Sequence, residues 1–129
     1  MEYVADTMVL IRHFSRSGAL GTKAQEVLKG TNRGENIIWV SIISLAEIMY
    51  LAEKNRIPLT LDMMREVLEN ADNYGIVDLD IEIVMVADTI SGLELHDRLI
   101  VATAKHLEVP MITSDHQITD SGVVDIVWD

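Results

Sequence analysis

Apolar residues along this chain switch between two spacings, and the switches mark alternating strands and helices. Tyr3 to Ala5 is a short apolar run that stops at Asp6; Met8, Val9, Leu10, Ile11 and Phe14 then follow at helical spacing as far as Ser17-Gly18. A second helix over about Lys23 to Lys29 gives way to Gly30-Thr31-Asn32-Arg33-Gly34, whose composition predicts a loop. Ile37 to Val40, rich in β-branched and aromatic residues, predicts a buried strand. Ser44 opens the next helix, which is apolar nearly all round through Ile48, Met49, Leu51 and Ala52, so a deeply buried helix ending before Pro58 is expected. Leu61, Met64, Val67, Leu68 and Ala71 form a single stripe instead, as on a half-exposed helix. Gly75 to Leu79 predicts a strand, followed by a helix through Val84, Ala87 and Ile90. Asp97 to Leu107 is a third strongly apolar helix, and Met111 to Thr113 and Val123 to Val127 complete the strands.

This alternation predicts an α/β domain of three layers, with a mainly parallel central sheet flanked by helices. At 129 residues the expectation is one such domain across positions 1–129. Aromatic residues are only 5%, so Ile, Leu, Val, Ala and Met must build the core. The chain has no cysteine, which excludes disulfides and thiolate metal sites. No apolar run approaches a membrane span and no leader-like pattern opens the chain, so a soluble, cytoplasmic protein with no membrane partner is expected.

Net charge is −11, which opposes indiscriminate binding to nucleic acid. The charge is uneven. Positions 1–34 hold five bases (Arg12, Arg16, Lys23, Lys29, Arg33) against three acids, whereas Glu66 to Asp97 holds nine acids and no Lys or Arg.

In open parallel sheets, functional groups gather beyond the carboxyl ends of the strands. Asp6 follows the first strand, and Asp115 follows Met111-Ile112-Thr113-Ser114. Glu47 lies one turn into a helix that follows a strand, and Asp97 starts another apolar helix, so all four are placed to share one pocket. Each also has a purely structural reading: Ser44-x-x-Glu47 is a capping box, and Asp6, Asp97 and Asp115 suit helix N-termini. Four carboxylates converging from distant parts of a chain nevertheless repel one another unless protons or a cation offset them. A hard divalent ion such as Mg²⁺, or Mn²⁺ in its place, takes oxygen ligands and activates water against a phosphodiester.

Four segments resemble, in order, the motifs of PIN-domain ribonucleases, in particular VapC-type toxins of prokaryotic toxin–antitoxin pairs. They are Val4-Ala5-Asp6-Thr7, Ser41-Ile42-Ile43-Ser44-Leu45-Ala46-Glu47, His96-Asp97-Arg98-Leu99-Ile100-Val101-Ala102-Thr103-Ala104 and Ile112-Thr113-Ser114-Asp115. The resemblance implies a PIN-like fold, Mg²⁺- or Mn²⁺-dependent cleavage of RNA, a homodimer, and inhibition by a cognate antitoxin protein. It implies that Asp6, Glu47, Asp97 and Asp115 are the catalytic acids, with Asp6, Asp97 and Asp115 on the metal, and that Thr7 and Ser114 are supporting hydroxyls. The chain departs from the pattern after Asp115, where His116-Gln117-Ile118 stands in place of a further acid and an aromatic.

Other candidates are set aside. His96 and His116 suit surface hydrogen bonds better than a hard-ion site. Arg98 fits a phosphate contact or an ion pair. Asp78, Asp80 and Glu82 fall in an alternating run that sends neighbours to opposite faces. Asp120 fits the edge of the pocket or a turn before Gly122. A strand-end Asp also suggests phosphoaspartate chemistry, but the second acid that chemistry needs is replaced by Met8, and no Gly-rich phosphate loop is present. The remaining alternatives are a stand-alone RNA-processing nuclease and a protein-binding module.

Overall fold

The computed structural model describes all residues from 1 to 129. In chain order it contains β1 (Glu2–Ala5), α1 (Thr7–Ser15), α2 (Thr22–Asn32), β2 (Ile37–Ser41), α3 (Ile42–Glu53), α4 (Leu61–Asn70), β3 (Tyr74–Val77), α5 (Ile81–Asp88), α6 (Leu95–Leu107), β4 (Met111–Ile112), α7 (His116–Ser121) and β5 (Ile126–Val127). The strands form one sheet in the order β3-β2-β1-β4-β5, and every neighbouring pair is parallel. The predicted three-layer α/β class is present, with a wholly parallel sheet.

Strand alternation divides the core into two layers. Tyr3 and Ala5 of β1 face a cluster built with α1, α2, α3 and α4, while Val4 faces a second cluster built with α5, α6 and Ile118 of α7. Both clusters contain side chains with no solvent exposure, such as Leu10 and Ile48 in the first and Ile100 and Met111 in the second. At the edge, Gly75 lets the Trp39 ring lie across β3, since a Cβ there would stand 2.4 Å from the ring.

The sheet grows outward from β1 in both directions, so β1 and β4 flank the point where the winding reverses. Crevices open at that point beyond the carboxyl ends of the strands. Asp6 immediately follows β1, and Asp115 lies three residues beyond β4.

Three expectations are corrected. The second helix runs to Asn32, through the first three residues of the segment whose composition predicts a loop, with Arg33 and Gly34 forming the turn after it. Gly30 serves close packing there, because a Cβ would stand 2.5 Å from Asn36 Nδ2, and Thr31 bonds back to the Val27 carbonyl at 2.9 Å. The third helix begins at Ile42, capped by Ser41, whose hydroxyl accepts from Ile43 N–H at 3.1 Å. Ser44 and Glu47 therefore lie inside the helix and form no capping box. That helix is also only half buried: α1, α4, α6 and β2 pack against it but leave Ile42, Met49 and Tyr50 exposed.

Candidate active site

Asp6 is buried and caps α1. One carboxylate oxygen accepts from Thr7 N–H at 2.8 Å, and the other accepts from the Thr113 hydroxyl at 2.7 Å. The same Thr113 oxygen accepts from Asp115 N–H at 3.0 Å, so one hydroxyl ties the loop after β4 to the end of β1. Burial is the main influence holding the Asp6 pKa above its ordinary value; the charge of Asp115 adds to it, while the two hydrogen bonds and the positive charge of Arg12 oppose it.

Asp115 caps α7, accepting from Gln117 N–H at 2.8 Å and Ile118 N–H at 3.1 Å. Glu47 projects from the second turn of α3. Its Oε1 accepts from the Thr7 hydroxyl at 2.6 Å, and that hydroxyl also lies 2.9 Å from Ser44 Oγ. The Glu47 pKa is raised, first by burial and then by the charges of Asp6 and Glu94; the Thr7 bond and His96 act the other way.

Asp97 sits in the first turn of α6, but it is not the cap. Glu94 takes that position, accepting from His96 N–H at 3.0 Å and Asp97 N–H at 3.3 Å, and its Oε1 lies 2.9 Å from His96 Nδ1. The Asp97 carboxyl is pushed up to about 6, first by burial and then by the charges of Asp6, Asp115, Glu94 and Glu47. No hydrogen bond opposes that shift. Asp97 thus feels the charges of the other three sequence-predicted acids and of Glu94. None of the four is within ion-pair distance of a Lys, Arg or His.

The hydroxyls sort differently from expectation. Thr7 holds Glu47, but Ser114 is exposed and bonds to none of the acids; Thr113 does what was assigned to it. Thr113 and Glu94 were not singled out in the sequence, and Ser44 was singled out only as the start of a capping box. The strand register explains Thr113: Ala5 pairs with Ile112, so the next position on each strand brings Asp6 beside Thr113. Thr113→Val is expected to cost about 1–3 kcal/mol of stability by leaving buried partners unpaired, and to raise the Asp6 pKa further. Thr113→Ser should restore both. Thermal melts and carboxyl NMR titration measure them; an unmoved Asp6 would show that the hydroxyl is incidental.

Asp120 lies exposed in the last turn of α7 and is not among the charges acting on the cluster. Arg98 forms no ion pair, and its Nε is buried without a hydrogen-bond partner. A separate exposed group, Asp80, Glu82 and His106, brings its ligand atoms within 4.8 Å of one another. Asp80 is the N-cap of α5 and Glu82 lies in its first turn, not in an alternating strand. Asp80 is committed to capping α5 through Ile83 N–H at 2.9 Å.

The sequence matches the PIN domain over residues 3–122, nearly its whole length. The chain belongs to the PIN-domain family. PIN domains are generally nucleases, and the strand-end acids described above sit where the fold gathers its chemistry. Solved structures share this PIN fold. One chain of VapBC2 from Rickettsia felis, a complex bound to a promoter DNA fragment, aligns with a TM-score of 0.74 at 16% identity over 100% of both chains. A toxin–antitoxin complex from Klebsiella pneumoniae gives 0.64 at 23% identity, over 95% of this chain and 94% of that one. FitAcB from Neisseria gonorrhoeae gives 0.69 at 18% identity, over 98% and 96%. No curated protein matches the sequence. No helix is long and apolar enough to cross a membrane.

Proposed function

We propose that this PIN domain, spanning residues 1–129, is a divalent-metal-dependent endoribonuclease and the toxin of a toxin–antitoxin pair. The observation that carries the reading is the un-neutralised carboxylate cluster, with Asp97 held near 6 by burial and by its acidic neighbours. The donor set consists of carboxylate oxygens, with no thiolate in the chain, which suits Mg²⁺ and allows Mn²⁺. Asp6, Asp97 and Asp115 would hold the ion. When bound, it would offset their repulsion and stabilise the charge that develops as a phosphodiester is hydrolysed.

The chain's own groups supply the remainder. Thr113 and Thr7 N–H fix both oxygens of Asp6. The Thr7 hydroxyl fixes Glu47 Oε1 and leaves Oε2 without a protein donor, so Oε2 is the atom suited to take a proton from the attacking water. The raised Glu47 pKa supports that role. The toxin assignment is supported by the complexes that share the fold and by apolar side chains left uncovered: Ile42, Met49 and Tyr50 on α3, Ile76 on β3, and Ile81 and Met85 on α5. Such faces suit two contacts, a second copy in a homodimer and a cognate antitoxin.

The test is cleavage of a mixed RNA pool by the purified protein in Mg²⁺ or Mn²⁺. Cutting is expected to stop in EDTA, to return with added Mn²⁺, and to fall at least 100-fold, about 3 kcal/mol of barrier, in Asp115→Asn purified identically. Cutting that survives both chelation and the substitution contradicts the reading.

A further inference from the structure

Arg12, His13 and Arg16, from α1 and its end, and Lys29 of α2 line one cavity of about 340 Å³. In a chain of net charge −11, the three permanent cations among them have no carboxylate within ion-pair distance, as is true of every Lys and Arg here except Arg33 and Arg65. Arg12 is held in place: Nη1 donates to the Ala19 carbonyl at 3.1 Å, and its stem lies so close over Gly18 that a Cβ there would stand 2.9 Å from Arg12 Cγ. The last turns of α1 and α2 tolerate positive charge because of the helix dipole. That accounts for each cation singly and does not account for their convergence on one cavity.

The cavity and the acid cluster lie toward opposite ends of α1. Asp6 caps that helix, and Arg12 and Arg16 follow at about 9 and 15 Å along its axis. The charge of Arg12 reaches Asp6. A strand of RNA approaching the cluster meets carboxylates that repel its phosphates, so an acidic nuclease needs a compensating cationic seat nearby.

We propose that the Arg12–Arg16–Lys29 cavity seats backbone phosphates of the RNA, a few nucleotides from the bond cut at the acid cluster. The assignment rests on the nuclease reading above and adds to it where the strand runs. Phosphates are favoured over an acidic protein segment because α1 sets the cavity about 9–15 Å from the cluster, a span that a few nucleotides cover.

Arg16 and Lys29 are exposed, so their replacement leaves the core intact. The experiment measures anisotropy of a labelled single-stranded RNA against salt, using Asp97→Asn so that the strand stays uncut, with and without Arg16→Gln/Lys29→Gln. Each lost phosphate contact lowers the salt slope by about 0.7, and so weakens binding about 5-fold near 0.1 M salt; the pair is expected to lose about 25-fold. Arg65→Gln, which removes a cation already paired with Asp62 and Glu69, is expected to change neither. Unchanged affinity and slope, with the wild type still cutting RNA, overturn the phosphate seat and leave the nuclease reading standing. Weakened binding of polyglutamate with RNA binding unaltered overturns it in favour of an acidic protein partner. Absence of both RNA binding and cleavage overturns the seat and the nuclease reading together.

Discussion

Asp97→Asn is expected to yield a protein that melts higher than wild type without divalent ions, yet cuts RNA at least about 1000-fold more slowly, a loss of several kcal/mol of transition-state stabilisation. The two effects share one cause. The Asp97 carboxyl titrates at about 6 in the folded chain against an ordinary 3.8, because burial and four neighbouring acids disfavour its charge. Between about pH 4 and 6 the native state therefore binds more protons than the unfolded state. Stability falls as pH rises through that window, and the deficit is fully present above it. After discounting for solvent screening of a partly exposed group, the deficit is roughly 1 kcal/mol, or about 3–5 °C in melting temperature. Wild type should regain about half of this on acidification from pH 7 to 5, and the variant should have all of it at both values. Calorimetric melts in EDTA at the two pH values measure it; a variant that melts lower than wild type at pH 7 would show that the cluster carries no electrostatic strain. Activity should follow the opposite course, rising with pH through about 6 as the acids ionise.

Ile100→Ala is the second large effect, and it acts on stability. Ile100 has no solvent exposure and follows Asp97 by three residues on the same helix, anchoring α6 in the cluster formed with Val4 and Met111. Truncation removes buried apolar surface and leaves a cavity that close-packed neighbours fill only in part. A cost of about 2–5 kcal/mol is expected, lowering the melting temperature by about 10 °C or more. A drop below about 3 °C would mean that α6 is not fixed to the sheet by this contact.

Hydrophobic spacing located most elements because each strand and helix has a clear buried face. It failed where tertiary contacts decide. Gly30-Thr31-Asn32 reads as a loop by composition, and it is helical because Gly30 lets Asn36 approach closely. α3 reads as buried all round, since its sequence does not say which apolar side the chain itself covers. The four acids could be picked out as candidates because they stand at strand ends or in the first two turns of helices, and the capping roles of Asp6 and Asp115 are present: both carboxylates cap helices. Thr113 was not legible against Ser114. Choosing between adjacent hydroxyls needs the β1–β4 register, which exists only once the strands are paired. The position of Glu94 in the cluster likewise depends on α6 beginning two residues earlier than its apolar pattern suggests.

The central claim is that Asp6, Asp97 and Asp115 hold one divalent cation, with Glu47 beside it. Isothermal titration of Mn²⁺ into wild type and Asp97→Asn near pH 6, in two buffers of different ionisation heat, tests it most directly. The account predicts saturable binding to wild type with release of protons, and loss of that binding in the variant. Equal Mn²⁺ affinity in both proteins, or binding to neither, would contradict it.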